Sequence, residues 1–179
     1  MLNTYEGWKL PVLADANGRQ DANILMFYGE NTEVYRSCST LWNNEFFVFG
    51  GETQTRQISK LSGCELTSVG KLNFNFTEGG CSVSGNDIYL CFNAENVDDY
   101  RRCRKTNNPL GSFTDIHRTA YDHRYSRIAS SNSKSSKVNH SLFLDELLSV
   151  GSGYPDSIKT EIYLINADRW FTLGDYPYG

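Results

Sequence analysis

The chain has 179 residues, of which 39% are hydrophobic and 13% aromatic, so it can bury a sizeable core, and global disorder is excluded. The net charge is −4 at pH 7, which gives no electrostatic support for a nucleic-acid partner. No window approaches the roughly 18 consecutive apolar residues of a membrane-spanning helix, so we expect no membrane insertion. Residues 1–20 lack the apolar segment of a signal peptide, yet the cysteines and sequons described below keep secretion open as a compartment.

Short strands separated by turn residues dominate the chain from residue 34 onward, and no segment has a convincing helical period. Before them lies an N-terminal segment, residues 1–33, in which the apolar stretch 24–28 can supply a strand of a partial unit. The first complete unit spans residues 34–78, and its most informative feature is a run of large apolar residues closed by Gly50 and Gly51. Its four predicted strands are 34–42, 46–51, 57–61 and 66–69.

Weaker copies of this unit follow. The second unit spans residues 79–129, and its predicted strands are 79–84, 87–92, 100–104 and 113–116. A polar tract rich in serine, 130–141, is typical of a loop insertion. The third unit, 142–179, is incomplete, and its predicted strands are 147–152, 160–164 and 170–173. Repeats with a period near 40 to 50 residues and four antiparallel strands each predict an all-β fold built from propeller-like units.

Three features together resemble the kelch repeat: the apolar run ending in Gly50 and Gly51, the polar connection to a third strand, and an outer strand opening at Trp170. The later copies depart from the pattern at the glycine pair, where they carry Phe92-Asn93 and Gly151-Ser152. The resemblance implies a kelch-type β-propeller with about three four-stranded blades plus a partial N-terminal blade. That is too few blades for a closed ring. We therefore expect the chain to be a fragment, with the remaining blades of a parent propeller, or another chain, completing the ring; a small irregular propeller is the alternative.

The usual role of kelch propellers is protein–protein interaction, and the resemblance implies that role here: a non-enzymatic module that binds a protein partner. The loops 53–56, 94–99 and 153–157 connect the same pair of strands in each predicted blade, so they should share one rim and remain solvated. The candidate partner-binding residues on these loops are Thr53, Gln54, Arg56, Glu95, Asp98, Asp99, Tyr154 and Asp156. The alternative is an enzyme or a carbohydrate-binding propeller with a site at the axial opening.

Catalytic or metal chemistry has little support in the sequence. The richest polar cluster, 117–127, contains His117, Asp122 and His123, which could bind a metal or act as acid and base. The more ordinary interpretation is an outer strand and its crossover to the next blade, braced by arginines. Copper radical oxidases share the kelch-type fold, but nothing in this sequence sets their tyrosine, cysteine and histidine ligands together. We therefore predict no cofactor and no catalytic residues.

Five cysteines cannot all pair within one chain. Cys91 and Cys103 flank the predicted hairpin of the second unit, so a disulfide between them is geometrically reasonable. Cys38 and Cys81 should lie on the inner strands of neighbouring blades, where we expect buried free thiols packed as small apolar groups. Two N-glycosylation sequons begin at Asn75 and Asn139.

Overall fold

The computed structural model describes residues 36–63, 65–124, 126–131, 146–150 and 159–175. All of them belong to the second of the two units into which the chain divides, Glu33–Gly179. Several predicted features lie outside these residues: the strand at 24–28, Cys64, Asn139, Tyr154 and Asp156. Within the described part of the chain, no helix is long and apolar enough to cross a membrane.

The described residues form strands joined by turns, which confirms the all-β prediction. The strands are β1 (Cys38–Trp42), β2 (Glu45–Phe49), β3 (Gln57–Ser62), β4 (Glu65–Lys71), β5 (Gly80–Ser84), β6 (Asp87–Cys91), β7 (Cys103–Thr106), β8 (Thr114–Asp115), β9 (Arg127–Ser131), β10 (Glu146–Val150), β11 (Lys159–Leu164) and β12 (Arg169–Asp175). Single 3-10 turns occur at Val97–Asp99 and Ile165–Ala167.

Each set of four consecutive strands makes one antiparallel sheet: β1 to β4 form the first sheet, β5 to β8 the second and β9 to β12 the third. Local sequence explains the tight turns. Asn43 and Asn44 both adopt left-handed backbone angles, with φ of 49° and 62°, as a two-residue hairpin with the correct twist requires. Strands that are consecutive in the chain are therefore neighbours in the sheet, in agreement with the predicted units of four strands.

The third sheet begins earlier than the predicted division of the chain. Its first strand, Arg127–Ser131, pairs with β10, with Ser130 opposite Leu147, although residues 130–141 were expected to form a loop. Backbone groups make the ladder, so the polar serines can continue the strand. Ile128 supplies the buried side chain, at 8% exposure.

The sheets stack face to face around two apolar cores. The first core lies between the first and second sheets and includes Phe49, Ile58 and Leu90; the second lies between the second and third sheets and includes Tyr89 and Tyr163. Residues 88–91 of β6 thus enter the two cores alternately, which explains why all four are apolar. The first strands of the three sheets, β1, β5 and β9, lie next to one another.

Two disulfides are present among the described residues. One joins Cys91 to Cys103, directly opposite each other on β6 and β7, and is the predicted pair; we call it the hairpin disulfide. The expectation of free thiols at Cys38 and Cys81 is wrong, because these residues form a second bridge. The first strands β1 and β5 are adjacent, and the two Cα atoms are 5.9 Å apart, a span that a disulfide bridges readily. We call this pair the inter-sheet disulfide.

Candidate interaction rim

Four connections lie at one end of the sheets, and we call them together the rim: residues 50–56, 72–79, 92–102 and 116–126. They share that end because, in an up-and-down antiparallel sheet, every second connection is on the same side. Backbone hydrogen bonds join the rim connections to one another. The amide of Phe76 donates to the Thr55 carbonyl at 2.7 Å, and the amide of Ala94 donates to the Thr77 carbonyl at 2.9 Å. The loops are therefore fixed relative to one another.

In each of the first two sheets, the first residue of the rim has nearly the same left-handed φ angle. Gly50 follows β2 with φ of 62°, and Phe92 follows β6 with φ of 63°. Each donates its amide to a carbonyl at the start of the third strand: Gly50 to Gln57, the first residue of β3, at 2.8 Å, and Phe92 to Arg102, which immediately precedes β7, at 2.8 Å. A Cβ at Gly50 would collide with the carbonyl of Phe76, which makes glycine necessary there. At the second position the Phe92 ring is fully buried and packs on His123 and Trp170.

An arginine braces the rim in each of the first two sheets. Arg56 donates through Nε to the carbonyl of Leu72 at 2.9 Å, and Arg101 donates through Nε to the carbonyl of Thr119 at 2.8 Å. Each arginine thereby connects the loop before a third strand to the connection that leaves the same sheet. The Nε of the candidate residue Arg56 is thus engaged in a bond that holds the rim together.

Most of the described candidate residues are exposed. Thr53, Gln54 and Arg56 are exposed on the first loop, and Glu95 and Asp98 are exposed on the second. Their exposure matches the predicted solvated rim. Between the two acidic residues stands Val97, which is 66% exposed and which the sequence did not single out.

Asp99 is the exception, and its predicted exposure is wrong. It is only 6% exposed, and its carboxylate forms an ion pair with Arg102 at 2.9 Å and accepts hydrogen bonds from Arg104 at 3.0 Å and from Asn93 at 3.2 Å. A buried carboxylate is tolerated when it is paired in this way. Asp99 therefore supports the second loop from inside. The two arginines that follow closely in the sequence were the signal available for this pairing.

A buried acid–base pair fixes the last rim connection, and no local sequence pattern predicts it. Glu161 of β11 is 1% exposed and lies 2.7 Å from Nε2 of the fully buried His123. The amides of Ala120 and Tyr121 also donate to this carboxylate, at 2.9 and 3.2 Å. Burial raises the pKa of Glu161, but these three hydrogen bonds outweigh burial and hold the pKa below its ordinary value.

The polar cluster at 117–127 shows the geometry of a braced crossover. His123 is occupied by Glu161, whereas His117 is exposed and its carbonyl accepts a hydrogen bond from Trp170 Nε1 at 2.8 Å. In the described part of the chain, no group of three or more His, Cys, Asp or Glu side chains could hold a metal ion.

Comparison with known proteins finds a likeness of fold alone. No family model matches the chain, and no curated protein matches it either. Among solved structures, the chain is similar to that titled "Structure of YjhT", with a TM-score of 0.61 and 9% sequence identity. The match covers 83% of this chain and 53% of that one, so the chain spans about half the length of the structure it resembles.

Proposed function

We propose that the chain is part of a kelch-type β-propeller that binds a protein partner through its rim and is not an enzyme. The fold part of the proposal is supported by three consecutive four-stranded sheets, stacked face to face with their first strands adjacent. YjhT has a propeller fold, and this chain aligns with about half of it. On that basis the ring is completed by further blades or by another chain.

The observation that best supports this function is an exposed patch on the 92–102 loop, which is held in place by contacts beneath it. The 92–102 loop presents Glu95, Val97 and Asp98 to solvent, while the hairpin disulfide and the buried Asp99 network hold the loop from beneath. Binding residues commonly occupy loops placed by a rigid scaffold. An exposed apolar side chain between two carboxylates fits a partner surface that presents an apolar pocket beside lysine or arginine.

A charge-reversal experiment tests this role. The chain with Glu95→Lys and Asp98→Lys is compared with the wild type and with a control, Glu65→Lys, in which the altered carboxylate is exposed at the opposite end of the sheets. In affinity capture followed by titration of each captured protein, we expect one partner to bind the wild type and the control equally. The doubly substituted rim should lose that binding at least tenfold, with a weaker dependence on salt. A partner that binds all three proteins alike contradicts the proposed surface.

The alternative, an enzyme or carbohydrate-binding propeller with an axial site, has its own readout. Native mass spectrometry and a glycan-binding screen of the wild type are done on the same preparation. A stoichiometric metal or saccharide, retained by the Glu95→Lys and Asp98→Lys variant, would favour the axial site over the rim.

A further inference from the structure

The rim connection at 72–79 contains a sequon, Asn75-Phe76-Thr77, which the proposed partner-binding role does not use. We propose that Asn75 carries an N-linked oligosaccharide and that the chain folds in an oxidising secretory compartment. The inference does not rest on the proposed function, although an oligosaccharide at Asn75 would stand beside Glu95 of the proposed partner-binding patch. It depends on three observations: the exposure of the acceptor, the condition of the Thr77 hydroxyl, and the disulfides.

The acceptor is held at the surface. The Asn75 side chain is exposed, and its Nδ2 donates to Glu95 Oε1 at 3.3 Å across the rim. The next residue, Phe76, is 1% exposed and anchors the connection through its ring and through backbone bonds to Thr55 and Gly51. An oligosaccharide on Nδ2 would therefore extend into solvent from a fixed point. The substituted amide retains one N–H, which can still donate to Glu95.

The threonine of the sequon gives the second observation. Its hydroxyl oxygen is buried and has no hydrogen-bond partner among the residues that the structure describes. A buried hydroxyl without a partner costs free energy, so the fold alone would be better served by valine, which has the same shape. A sequon, by contrast, requires Ser or Thr two residues after the asparagine. The glycosylation signal therefore supplies a reason for Thr77 that packing does not.

The disulfides give the third observation. The inter-sheet and hairpin disulfides use four of the five cysteines. Disulfides persist in secreted proteins and are rare where thiols are kept reduced. Chains that form disulfides in the secretory pathway are also exposed to the machinery that glycosylates asparagine. Both modifications thus point to one compartment.

The proposed modification is a transfer from a lipid-linked diphosphate oligosaccharide. A bond forms between Nδ2 of Asn75 and the anomeric carbon of the sugar, while the bond from that carbon to the diphosphate oxygen breaks. The amide gives up one proton, and the lipid diphosphate leaves. No electrons are exchanged with an outside oxidant or reductant.

The test is expression of the full chain behind a cleavable signal peptide in eukaryotic cells, in an Asn139→Gln background so that one sequon remains. The secreted protein is treated with peptide N-glycosidase and mapped by peptide mass spectrometry, since the enzyme leaves aspartate in place of a modified asparagine. We expect conversion of Asn75 in the starting protein and a glycosidase-sensitive shift on a gel. The shift should persist in Thr77→Ser, which keeps a hydroxyl, and disappear in Thr77→Val.

Two comparisons make the outcome decisive. Asn107→Gln replaces an exposed asparagine outside any sequon and should leave the shift unchanged. Thr77→Val should unfold at a temperature no lower than that of Asn75→Gln, which also lacks the oligosaccharide but keeps an amide at position 75, so loss of its shift cannot be attributed to misfolding. Unmodified Asn75 in secreted, disulfide-bonded parent protein would overturn the proposal, and peptide mapping of that parent alone is enough to reach this result.

Discussion

Substitution of Glu161 tests how the last rim connection is held to the third sheet. Glu161→Ala removes a carboxylate that is 1% exposed and leaves three donors without their acceptor: the amides of Ala120 and Tyr121 and the ring of His123. Each buried donor that is left without its acceptor costs about 1 to 3 kcal/mol, so three of them together cost at least about 3 kcal/mol. We expect the free energy of unfolding to fall by that amount, which is a large part of the stability of an ordinary domain.

The assay is urea unfolding followed by tryptophan fluorescence, since Trp170 is 8% exposed and packs on Tyr163 beside the pair. Glu161→Gln should lose less, about 1 to 3 kcal/mol, because its amide oxygen can still accept a hydrogen bond. Glu65→Ala, at an exposed position, serves as the control and should change stability by no more than about 0.5 kcal/mol. An Ala variant at Glu161 that matches this control would refute the reasoning.

The same carboxylate predicts a dependence on pH. The pKa of Glu161 is lowered in the folded protein, so its contribution is fully present above the ordinary carboxyl pKa and is lost as pH falls through the lowered value. Wild-type stability should therefore decline as the pH is taken below about 4. The free energy of unfolding of Glu161→Gln, which does not titrate at this position, should fall less steeply as the pH is lowered. Parallel urea titrations at each pH measure both proteins, and equal pH dependence would contradict the role given to Glu161.

Two further predictions concern the disulfides and the first rim glycine. The inter-sheet disulfide spans 43 residues and the hairpin disulfide 12, so replacing each pair by serine should cost about 4 and about 3 kcal/mol in the free energy of unfolding; a larger loss from the hairpin pair would contradict this order. Gly50→Ala should destabilise the protein by more than Gly63→Ala, because both glycines have φ of 62° but only Gly50 faces the Phe76 carbonyl. Gly63→Ala should cost about 1 to 2 kcal/mol for the left-handed conformation alone, and equal losses in thermal unfolding would argue against the collision.

Much of the strand pattern could be predicted, because it depends on residues that are close in sequence. The apolar run around Phe47 and the turn at Asn43 and Asn44 locate the first sheet to within a few residues. The hairpin disulfide is equally local. The start of β9 could not be found, since Ser130 and Ser131 pair through their backbone while their side chains indicate a loop.

The supports of the rim depend instead on packing between sheets. Cys38 and Cys81 are 43 residues apart, and His123 and Glu161 are 38 apart, so only the stacked arrangement brings each pair together. The burial of Asp99 is different, because its partners Arg102 and Arg104 follow within five residues in the same hairpin, so a local signal for this pairing was present in the sequence.

The shared backbone conformation at Gly50 and Phe92 has a consequence for how these repeats can diverge. Phenylalanine at position 50 would strike the Phe76 carbonyl, and glycine at position 92 would leave a hole beneath His123 and Trp170. Neither copy can therefore regain the other's residue by a single change without a loss of stability. Divergence at this position is therefore hard to reverse: both copies keep the left-handed φ, but each now requires its own amino acid at that position.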